Sequence, residues 1–295
     1  MDKIQIGFLH SLIRPEEKML IEEFRKHENV ELIMIYDREL IFDVNGKKTP
    51  FDLDVVLERS INHSRALHSI LLFENAGIKC INKSQVATIC GDKILTAMAL
   101  SKNNIPQPKV KIAFDRESGL KAIEEIGYPV VLKPAVGSWG RLISKVNDID
   151  AAEALLEHKK ILGSYHHSIY FIQKFIEKQE KDIRSFVIGN ECVAAIYRSA
   201  SHWITNTARG AVATNCPLTQ ELKEISLKAA KAVGSEKGMV AVDLFETEEG
   251  FLVNEVNYTM EFRNSIKTTG VNIPKLIVDH VIKIARQEKE NGKRE

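Results

Sequence analysis

The chain has 295 residues, an apolar fraction of 44% and a formal net charge of +1. That length leaves room for one large domain or two to three modest ones, and the composition is typical of a globular protein with a full core. The near-zero charge gives no broad electrostatic case for binding nucleic acid or an anionic membrane, and no apolar run is long enough to span a bilayer. Because the four cysteines are scattered without CxxC spacing and no signal-peptide pattern opens the chain, we expect a cytoplasmic protein.

The first part of the chain alternates between strand-like and helix-like patterns. This βαβ rhythm predicts a mostly parallel sheet flanked by helices. The dipeptide Asn45-Gly46 predicts a small hairpin, and the absence of GxGxxG gives no support to dinucleotide binding. The predicted elements are strands at residues 4–9, 30–36, 54–58 and 78–81, and helices at residues 15–26 and 64–75.

Beyond residue 84 the pattern becomes a mixture of helices and short strands, ending in a charged tail at residues 288–295 that we expect to fray. Helices are predicted at residues 91–102, 117–126, 148–159, 219–233 and 273–287. Strands are predicted at residues 110–114, 128–134, 142–144, 168–176, 182–188, 192–197, 239–245 and 251–256.

A glycine-rich turn at residues 137–140 lies between two of these strands. Backbone N–H groups in such a turn can face phosphate oxygens. The turn is not a P-loop, because the GK[ST] ending is absent and no helix follows. A plain hairpin turn is the alternative, but Lys133 before the turn and Arg141 directly after it favour phosphate binding.

The segment at residues 241–257 predicts a hairpin that carries a metal site. If the hairpin is centred on Glu249, Asp243 lies opposite Glu255, and Asn257 projects from the same strand face as Glu255. Gly250 can supply the positive φ of a tight turn. An oxygen-only set suits Mg²⁺. The alternative is a half-exposed amphiphilic hairpin, which the basic, glycine-rich segments upstream make less favourable.

Together these features resemble the ATP-grasp superfamily of carboxylate–amine ligases. Within it the chain is most similar to the LysX family, which is related to ArgX and to the ribosomal-protein glutamate ligases. The resemblance covers nearly the whole chain. Its longer motifs are residues 136–142 (Val-Gly-Ser-Trp-Gly-Arg-Leu), 194–198 (Ala-Ala-Ile-Tyr-Arg), 202–210, 254–264 and 268–274.

The resemblance implies a protein of the α/β and α+β class with the ATP-grasp fold. An N-terminal, mostly parallel α/β domain would span residues 1–85. A small central α+β domain with the glycine-rich phosphate flap would span residues 86–174. A larger C-terminal α+β domain with the metal site would span residues 175–288, and ATP would lie between the last two domains.

The resemblance also implies ATP and Mg²⁺ as cofactors, with two ions. The metal ligands would be Asp243, Glu255 and Asn257, with Glu255 bridging the ions. Asp182 and Arg184 alternate on one strand face, and pairing with each other is their alternative role. The nucleotide-binding residues would be Lys93, Lys133, Gly137, Ser138, Trp139, Gly140, Gln173, Lys174, Phe175, Ile176, Asp182 and Arg184.

Two further sets follow from the same motifs. The catalytic residues, acting on the γ-phosphate and on the charge of an acyl phosphate, would be Arg198, Arg209 and Asn206. The substrate-binding residues would be Thr259, Arg263 and Asn264, since a guanidinium group binds a carboxylate bidentately. The alternatives are surface packing for the arginines and a loop packed for its own sake for the substrate set.

The implied reaction is formation of an isopeptide bond in lysine biosynthesis. The γ-carboxylate of the C-terminal glutamate of the amino-group carrier protein LysW would be phosphorylated and then attacked by the α-amine of α-aminoadipate. Glutamate as the acceptor, as in ArgX and arginine biosynthesis, or both acceptors, is the alternative, because one methylene gives only about 1–3 kcal/mol of discrimination. A non-catalytic ATP-binding regulatory module is the alternative of another class. The family implies a homo-oligomer, either a dimer or a tetramer.

Overall fold

The computed structural model describes residues 3–45, 49–137, 142–163, 168–178, 180–205 and 210–292. Within these ranges the chain forms three sheets, one parallel and two antiparallel, with helices packed against them. Each sheet falls within one of the three predicted segments, which confirms the predicted fold class, while the domain boundaries themselves stay a prediction. No helix in the described part of the chain is long and apolar enough to cross a membrane.

The first sheet contains β1 (Ile4–His10), β2 (Val30–Tyr36), β3 (Val55–Arg59) and β4 (Cys80–Ile81). Its strands run parallel in the order β2-β1-β3-β4. Helices α1 (Pro15–Phe24) and α2 (His63–Asn75) connect the strands. Every residue of β3 is buried, as expected for a strand covered on both faces. Because β1 and β3 are parallel neighbours, their carboxyl ends lie side by side at one edge of the sheet.

The middle of the chain starts with two helices, α3 (Ser84–Gly91) and α4 (Lys93–Lys102). An antiparallel sheet in the order β5-β8-β6-β7 follows, and two helices pack on it. The Asp148 side chain caps the helix Ile149–Leu162 by accepting a hydrogen bond from the Ala151 backbone N–H, as predicted. The elements are β5 (Val110–Ala113), α5 (Arg116–Ile126), β6 (Val130–Lys133), β7 (Ser144–Val146), α6 (Ile149–Leu162) and β8 (Tyr170–Lys174).

The largest sheet is antiparallel and has the order β11-β10-β9-β12-β13. One of its faces shares a core with the first sheet, where Phe8 and Phe186 belong to the same buried cluster. The elements are β9 (Lys181–Ile188), β10 (Glu191–Ser199), β11 (Val212–Asn215), α7 (Gln220–Ala232), β12 (Met239–Thr247), β13 (Gly250–Asn257), α8 (Arg263–Thr269) and α9 (Ile273–Gly292).

Several predicted boundaries were wrong for identifiable reasons. The strand predicted at 142–144 begins only at Ser144, because Leu142 has a φ of 55°, a left-handed conformation that cannot continue a strand. Helix α9 extends to Gly292, beyond the predicted end at residue 287, and Glu288 in this extension forms an ion pair with Lys79.

Other elements were missed, and one prediction lies outside the described part of the chain. The edge strand β11 is mostly exposed and so has no apolar alternation. Helices α3 and α8 are short, with eight and seven residues, too short for a clear helical period. Gly46 of the predicted small hairpin is not among the described residues.

A buried ion network joins the first sheet to the loop between β13 and α8. Glu17 on α1 is 0% exposed and accepts two hydrogen bonds from Arg59, at 2.7 and 3.0 Å. Arg59 also donates to the Met260 carbonyl at 3.1 Å, and Arg14 forms a fork with Glu17 at 2.8 and 2.9 Å. Although burial opposes ionisation, Arg59 and Arg14 lower the pKa of Glu17. The start of α1 is therefore fixed relative to the loop after β13.

Replacing Glu17 by glutamine should lower the free energy of unfolding by about 3–5 kcal/mol, because a buried ion pair that loses one charged partner leaves the other uncompensated. Denaturant unfolding measures this change. Glu22→Gln on the exposed face of the same helix is the control and should change stability by less than about 0.5 kcal/mol. Equal effects of the two substitutions would contradict the role given to this network.

Candidate active site

One large cleft gathers most of the predicted site residues. It lies between the antiparallel sheet of the middle segment and the largest sheet, and the edge of the first sheet closes one side at Ser60 and Ile61. The predicted residues that line this cleft are Lys93, Lys133, Gly137, Gln173, Lys174, Phe175, Ile176, Asp182, Arg184, Arg198, Asp243, Glu255, Asn257 and Thr259.

The β12–β13 hairpin sets the register of the predicted metal ligands. Its turn is only two residues long, and Gly250 has a φ of 112°. The turn residues are Glu248 and Glu249, since Thr247 pairs with Gly250. Regular pairing from this turn would place Asp243 opposite Asn254. A β-bulge at Asn254 restores the register. Asp243 therefore lies opposite Glu255, as predicted, although the turn differs from the predicted one.

Asp243 is a buried carboxylate that two arginines compensate. Arg184 donates to it through Nε at 2.7 Å and Nη2 at 2.8 Å, and Arg198 Nη2 lies 3.2 Å from its Oδ2. Asn257 Nδ2 lies 3.4 Å from the same oxygen. Burial favours the neutral acid, but the two guanidinium groups outweigh it and lower the pKa of Asp243 to about 2. Asp243 is thus ionised throughout the neutral pH range.

Asp182 and Arg184 share one face of β9, but they do not pair with each other. Arg184 lies opposite Asp243 on β12, and Asp182 lies opposite Arg198 on β10. Arg198 Nε donates to Asp182 at 2.7 Å, and Thr205 Oγ1 donates to it at 2.5 Å. Directly opposed residues on neighbouring strands approach most closely. The alternative of mutual pairing was therefore wrong, and we call Asp182, Arg184, Arg198 and Asp243 the Asp–Arg network.

Two lysines face Glu255 from the middle segment of the chain. Lys93 is the first residue of α4, and its Nζ lies 3.4 Å from Glu255 Oε1 and 2.7 Å from the Gly137 carbonyl. Lys133 ends β6 and donates to the bulge residue Asn254 at 2.8 Å. Burial is the main cause that lowers the pKa of Lys133 to about 8, with nearby Lys93 adding to it. The bulge thus both corrects the register and holds a lysine.

Lys178 is a further cation in the cleft, and the sequence analysis missed it. Its Nζ lies 3.3 Å from Asp182 Oδ2, contacts Thr205 Oγ1 and sits 5.4 Å from the centre of the Phe245 ring. Burial is the main cause that lowers its pKa. The sequence feature that could have indicated Lys178 is its position, two residues after the predicted nucleotide-binding segment that ends at Ile176.

Aromatic side chains form one wall of the cleft. The Phe175 and Trp203 rings meet edge to face with centroids 6.1 Å apart. Lys145 Nζ lies 3.8 Å from the centre of the Phe175 ring. Lys174 Nζ donates to the Gly127 carbonyl at 2.9 Å, which ties the end of β8 to the turn before β6. Aromatic side chains at this position can pack against a purine base.

The predicted flap and the predicted catalytic loop lie partly outside the described residues. These positions are Ser138, Trp139, Gly140, Asn206 and Arg209. The strands β6 and β7 that flank the flap pair antiparallel, and Gly137 lines the cleft with a φ of 73°.

The predicted substrate residues divide between two cavities. Thr259 lines the cleft and donates to Glu58 Oε2 at 2.9 Å. Burial raises the pKa of Glu58 to about 7. Arg263 and Asn264, on α8, line a second cavity. The two cavities adjoin, because three residues line both of them: Arg184, Arg198 and Glu261.

The donor set of the cleft fits a magnesium–nucleotide complex. Within the described ranges no three His, Cys, Asp or Glu side chains converge as a self-sufficient metal site. Asp243, Glu255 and Asn257 instead supply two carboxylates and one amide. Mg²⁺ binds to such small sets when phosphates and water complete its coordination. Lys93, Lys133 and Lys178 supply the positive charge that a polyphosphate requires.

Comparison with known proteins gives the family. Residues 90–281 match the model of the RimK-like ATP-grasp domain, and residues 6–89 match that of the LysX preATP-grasp domain. The chain belongs to the RimK-like ATP-grasp family. The resemblance seen in the motifs is confirmed, and the chain is an ATP-grasp ligase of the carboxylate–amine type. Such ligases use ATP and Mg²⁺.

Three relatives illustrate the match across this ATP-grasp chain. The α-aminoadipate–LysW ligase LysX of Saccharolobus solfataricus is 37% identical over 90% of this chain and 96% of that protein. The glutamate–LysW ligase ArgX of Sulfurisphaera tokodaii is 32% identical over 94% of this chain and 98% of that protein. The crystal structure of a RimK-domain ATP-grasp protein from Sphaerobacter thermophilus has a TM-score of 0.79 at 26% identity, covering 94% of this chain and 98% of that one.

Nucleotide binding to this ATP-grasp protein should take up a proton at Lys133. With a pKa of about 8, half of the Lys133 side chains are neutral at about pH 8. Phosphate oxygens favour the ammonium form and raise the pKa, so binding of ATP with Mg²⁺ should take up about half a proton. Calorimetry in two buffers of different ionisation enthalpy measures the uptake.

Two controls accompany this measurement. At about pH 6 Lys133 is already ionised, so the uptake should disappear. The variant Lys133→Arg keeps its charge at both pH values and should bind without uptake. An uptake that is the same at both pH values, or the same in the variant, contradicts the assignment.

Proposed function

We propose that the chain joins α-aminoadipate to a LysW-type amino-group carrier protein in an ATP-dependent reaction of lysine biosynthesis. The γ-carboxylate of the carrier's C-terminal glutamate becomes an acyl phosphate, and the α-amine of α-aminoadipate attacks it. An isopeptide bond, ADP and phosphate result. The observation that carries this proposal is a convergence in one cleft of the Asp–Arg network, the Glu255–Asn257 pair, and Lys93, Lys133 and Lys178.

The chemistry explains why such a cleft suffices. A carboxylate is a poor acylating agent, because its leaving group would be oxide. Phosphoryl transfer from ATP to the carboxylate is governed by positioning and charge neutralisation, and it needs no protein nucleophile. The aromatic wall at Phe175 and Trp203 would receive the base, and the lysines would receive the phosphates.

We assign the metal role to Asp243, Glu255 and Asn257, with two Mg²⁺ ions and Glu255 between them. Bound Mg²⁺ would neutralise charge on the phosphates. Lys93, at 3.4 Å from Glu255, keeps that carboxylate charge-compensated and lies where a phosphate can share its ammonium. Arg184 and Arg198 hold Asp243 ionised, which is the form that a metal requires.

We assign binding of the transferred phosphoryl group to Arg198, together with Arg209 and Asn206. Arg198 is 3% exposed and spans from Asp182 to Asp243. Its position is therefore fixed before substrate binds, as electrostatic stabilisation of a transition state requires. The glycine flap at residues 137–140 would exclude water from the acyl phosphate, which water would otherwise hydrolyse.

We assign the acceptor to the junction of the two cavities, with Thr259 on the cleft side and Arg263 and Asn264 on the other. The shared wall supports this assignment, because an amine held there would face the cleft. Glutamate is the second candidate acceptor, since relatives of the LysX and ArgX kinds match at 37% and 32% identity over similar lengths. A non-catalytic ATP-binding module is less favoured, because the complete oxygen set lines the cleft.

The central experiment supplies the protein with ATP, Mg²⁺, a LysW-type carrier and an equal mixture of α-aminoadipate and glutamate. Intact mass of the carrier reports which amino acid is added, because the two products differ by one methylene. We expect the α-aminoadipate adduct to dominate, and we expect ADP only when carrier and amino acid are both present. A dominant glutamate adduct favours the second candidate, and ATP turnover without any adduct contradicts the ligase proposal.

Replacing Glu255 by glutamine should lower the rate of adduct formation by more than about 100-fold, since even outer-shell changes at metal sites cost 10- to 100-fold. The adduct rate at saturating substrate measures this loss. The control is Glu249→Gln, which changes an exposed residue in the turn of the same hairpin and should leave the rate unchanged. An undiminished rate in Glu255→Gln contradicts the metal assignment.

A further inference from the structure

More arginines than carboxylates line the second cavity. Four arginines and two glutamates line it, and two of these arginines belong to the Asp–Arg network. The other charged residues are Arg14 and Glu16 at the start of α1, Glu261 in the loop after β13, and Arg263 on α8. Guanidinium groups that line a cavity can bind an anionic ligand when it joins or replaces their present carboxylate partners.

Unsatisfied buried groups in the wall point the same way. Arg198 Nη1 and Ser265 Oγ are buried and have no hydrogen-bond partner among the described residues. Arg198 is 3% exposed and Ser265 is 1% exposed, and both line the second cavity. Both groups can donate a hydrogen bond. Buried polar groups without partners are uncommon in native structures, so an acceptor that enters this cavity would satisfy them.

Arg14 lines this cavity, and its guanidinium group is held in a fixed orientation. Its Nε and Nη2 form a fork with the buried Glu17, at 2.8 and 2.9 Å. Glu17 is itself fixed by two hydrogen bonds from Arg59, which is 1% exposed and lies 5.9 Å from the centre of the Phe262 ring. Because Nε and Nη2 bind Glu17, the Nη1 group of Arg14 is turned away from Glu17.

The edge of Arg14 turned away from Glu17 already holds a carboxylate. Arg14 Nη1 donates to Glu261 Oε1 at 3.0 Å. The Glu261 side chain is 27% exposed, unlike the fully buried Glu17, and it lies where the cleft and the second cavity meet. The pair is part-buried, and a substrate carboxylate that replaces Glu261 would restore the same charge-assisted hydrogen bond to Nη1.

We propose that Arg14 binds a carboxylate of the amino acid acceptor, and that Glu17 and Arg59 position it for this contact. The inference rests on the proposed function, in which the acceptor is an amino acid with two carboxylates. Arg14 is a substrate-binding residue from the N-terminal domain, and Glu17 and Arg59 act through it. The acceptor carboxylate takes the place of Glu261 against Nη1, which leaves the acceptor at the junction of the two cavities.

The test is a cycle of protein variants and acceptor analogues, read by calorimetric binding in the presence of ADP and Mg²⁺. Arg14→Gln should weaken binding of α-aminoadipate by about 10- to 150-fold, the range for a hydrogen bond to a charged group. ADP affinity should change by less than about twofold, because the lysines of the cleft are untouched. The matched control is Arg25→Gln at the other, exposed end of α1, which should change neither affinity.

Two analogues of α-aminoadipate complete the cycle, one with its α-carboxylate as an amide and one with its side-chain carboxylate as an amide. For the analogue that lacks the group bound by Arg14, the wild-type protein and Arg14→Gln should bind equally. If the variant weakens the acid and both amides by the same factor, Arg14 does not contact the acceptor and the proposal is overturned. The same result follows if Arg14→Gln leaves α-aminoadipate binding unchanged.

Folding and function are separated within the same design. Circular dichroism reports whether Arg14→Gln is folded. If it is not folded, the same cycle is measured with Arg14→Lys, which keeps the charge but loses the fork. Binding does not require ligation, so a wild-type protein that adds no amino acid to the carrier contradicts the proposed function alone. Binding that is insensitive to Arg14 in a protein that does ligate contradicts this inference alone.

Discussion

The structure of the site depends on alternating charges across three neighbouring strands. Asp182 and Arg184 on β9 face Arg198 on β10 and Asp243 on β12, and each carboxylate is paired across a strand boundary. Because all four side chains are nearly buried, removing one charge would leave its partner uncompensated in a medium of low dielectric constant. The network therefore fixes the positions of two arginines and one proposed metal ligand at the same time.

The same network places the two cavities against each other. Arg184 and Arg198 line both the cleft and the second cavity, so they form a shared wall. A ligase of this family must bring a phosphorylated carboxylate and an amine together while excluding water. A wall of guanidinium groups between the proposed nucleotide cleft and the proposed anion-binding cavity is suited to that task, because it can contact the charge on either side without reorganising.

Much of the site could be predicted from the sequence because strand periodicity is local. Asp243, Glu255 and Asn257 lie on one hairpin as predicted, and Lys133 lies at the end of β6 and lines the same cleft. The register was right although the turn was not, because the bulge at Asn254 shifted the pairing by one residue. Nothing in an isolated strand pattern indicates a bulge at an asparagine, so this agreement could not have been derived from the residues alone.

What could not be predicted involves residues that are distant in sequence. The partners of Asp182 and Arg184 were missed, because cross-strand neighbours depend on the sheet order. Arg14 is 247 residues from Glu261, and its place in the second cavity depends on how α1 packs against the loop after β13. Lys178 was overlooked for a different reason, since a lone lysine in an irregular segment resembles any surface lysine.

The central claim is that Asp243, Glu255 and Asn257 hold a divalent ion against a nucleotide whose phosphates face Lys93 and Lys133. A crystal structure of the protein with Mn²⁺ and a non-hydrolysable ATP analogue tests it most directly, because anomalous scattering locates the ion independently of the surrounding density. The account predicts an anomalous peak within coordination distance of Asp243, Glu255 and Asn257, with the base against Phe175. A nucleotide bound outside the cleft, or a peak distant from Glu255, would contradict it.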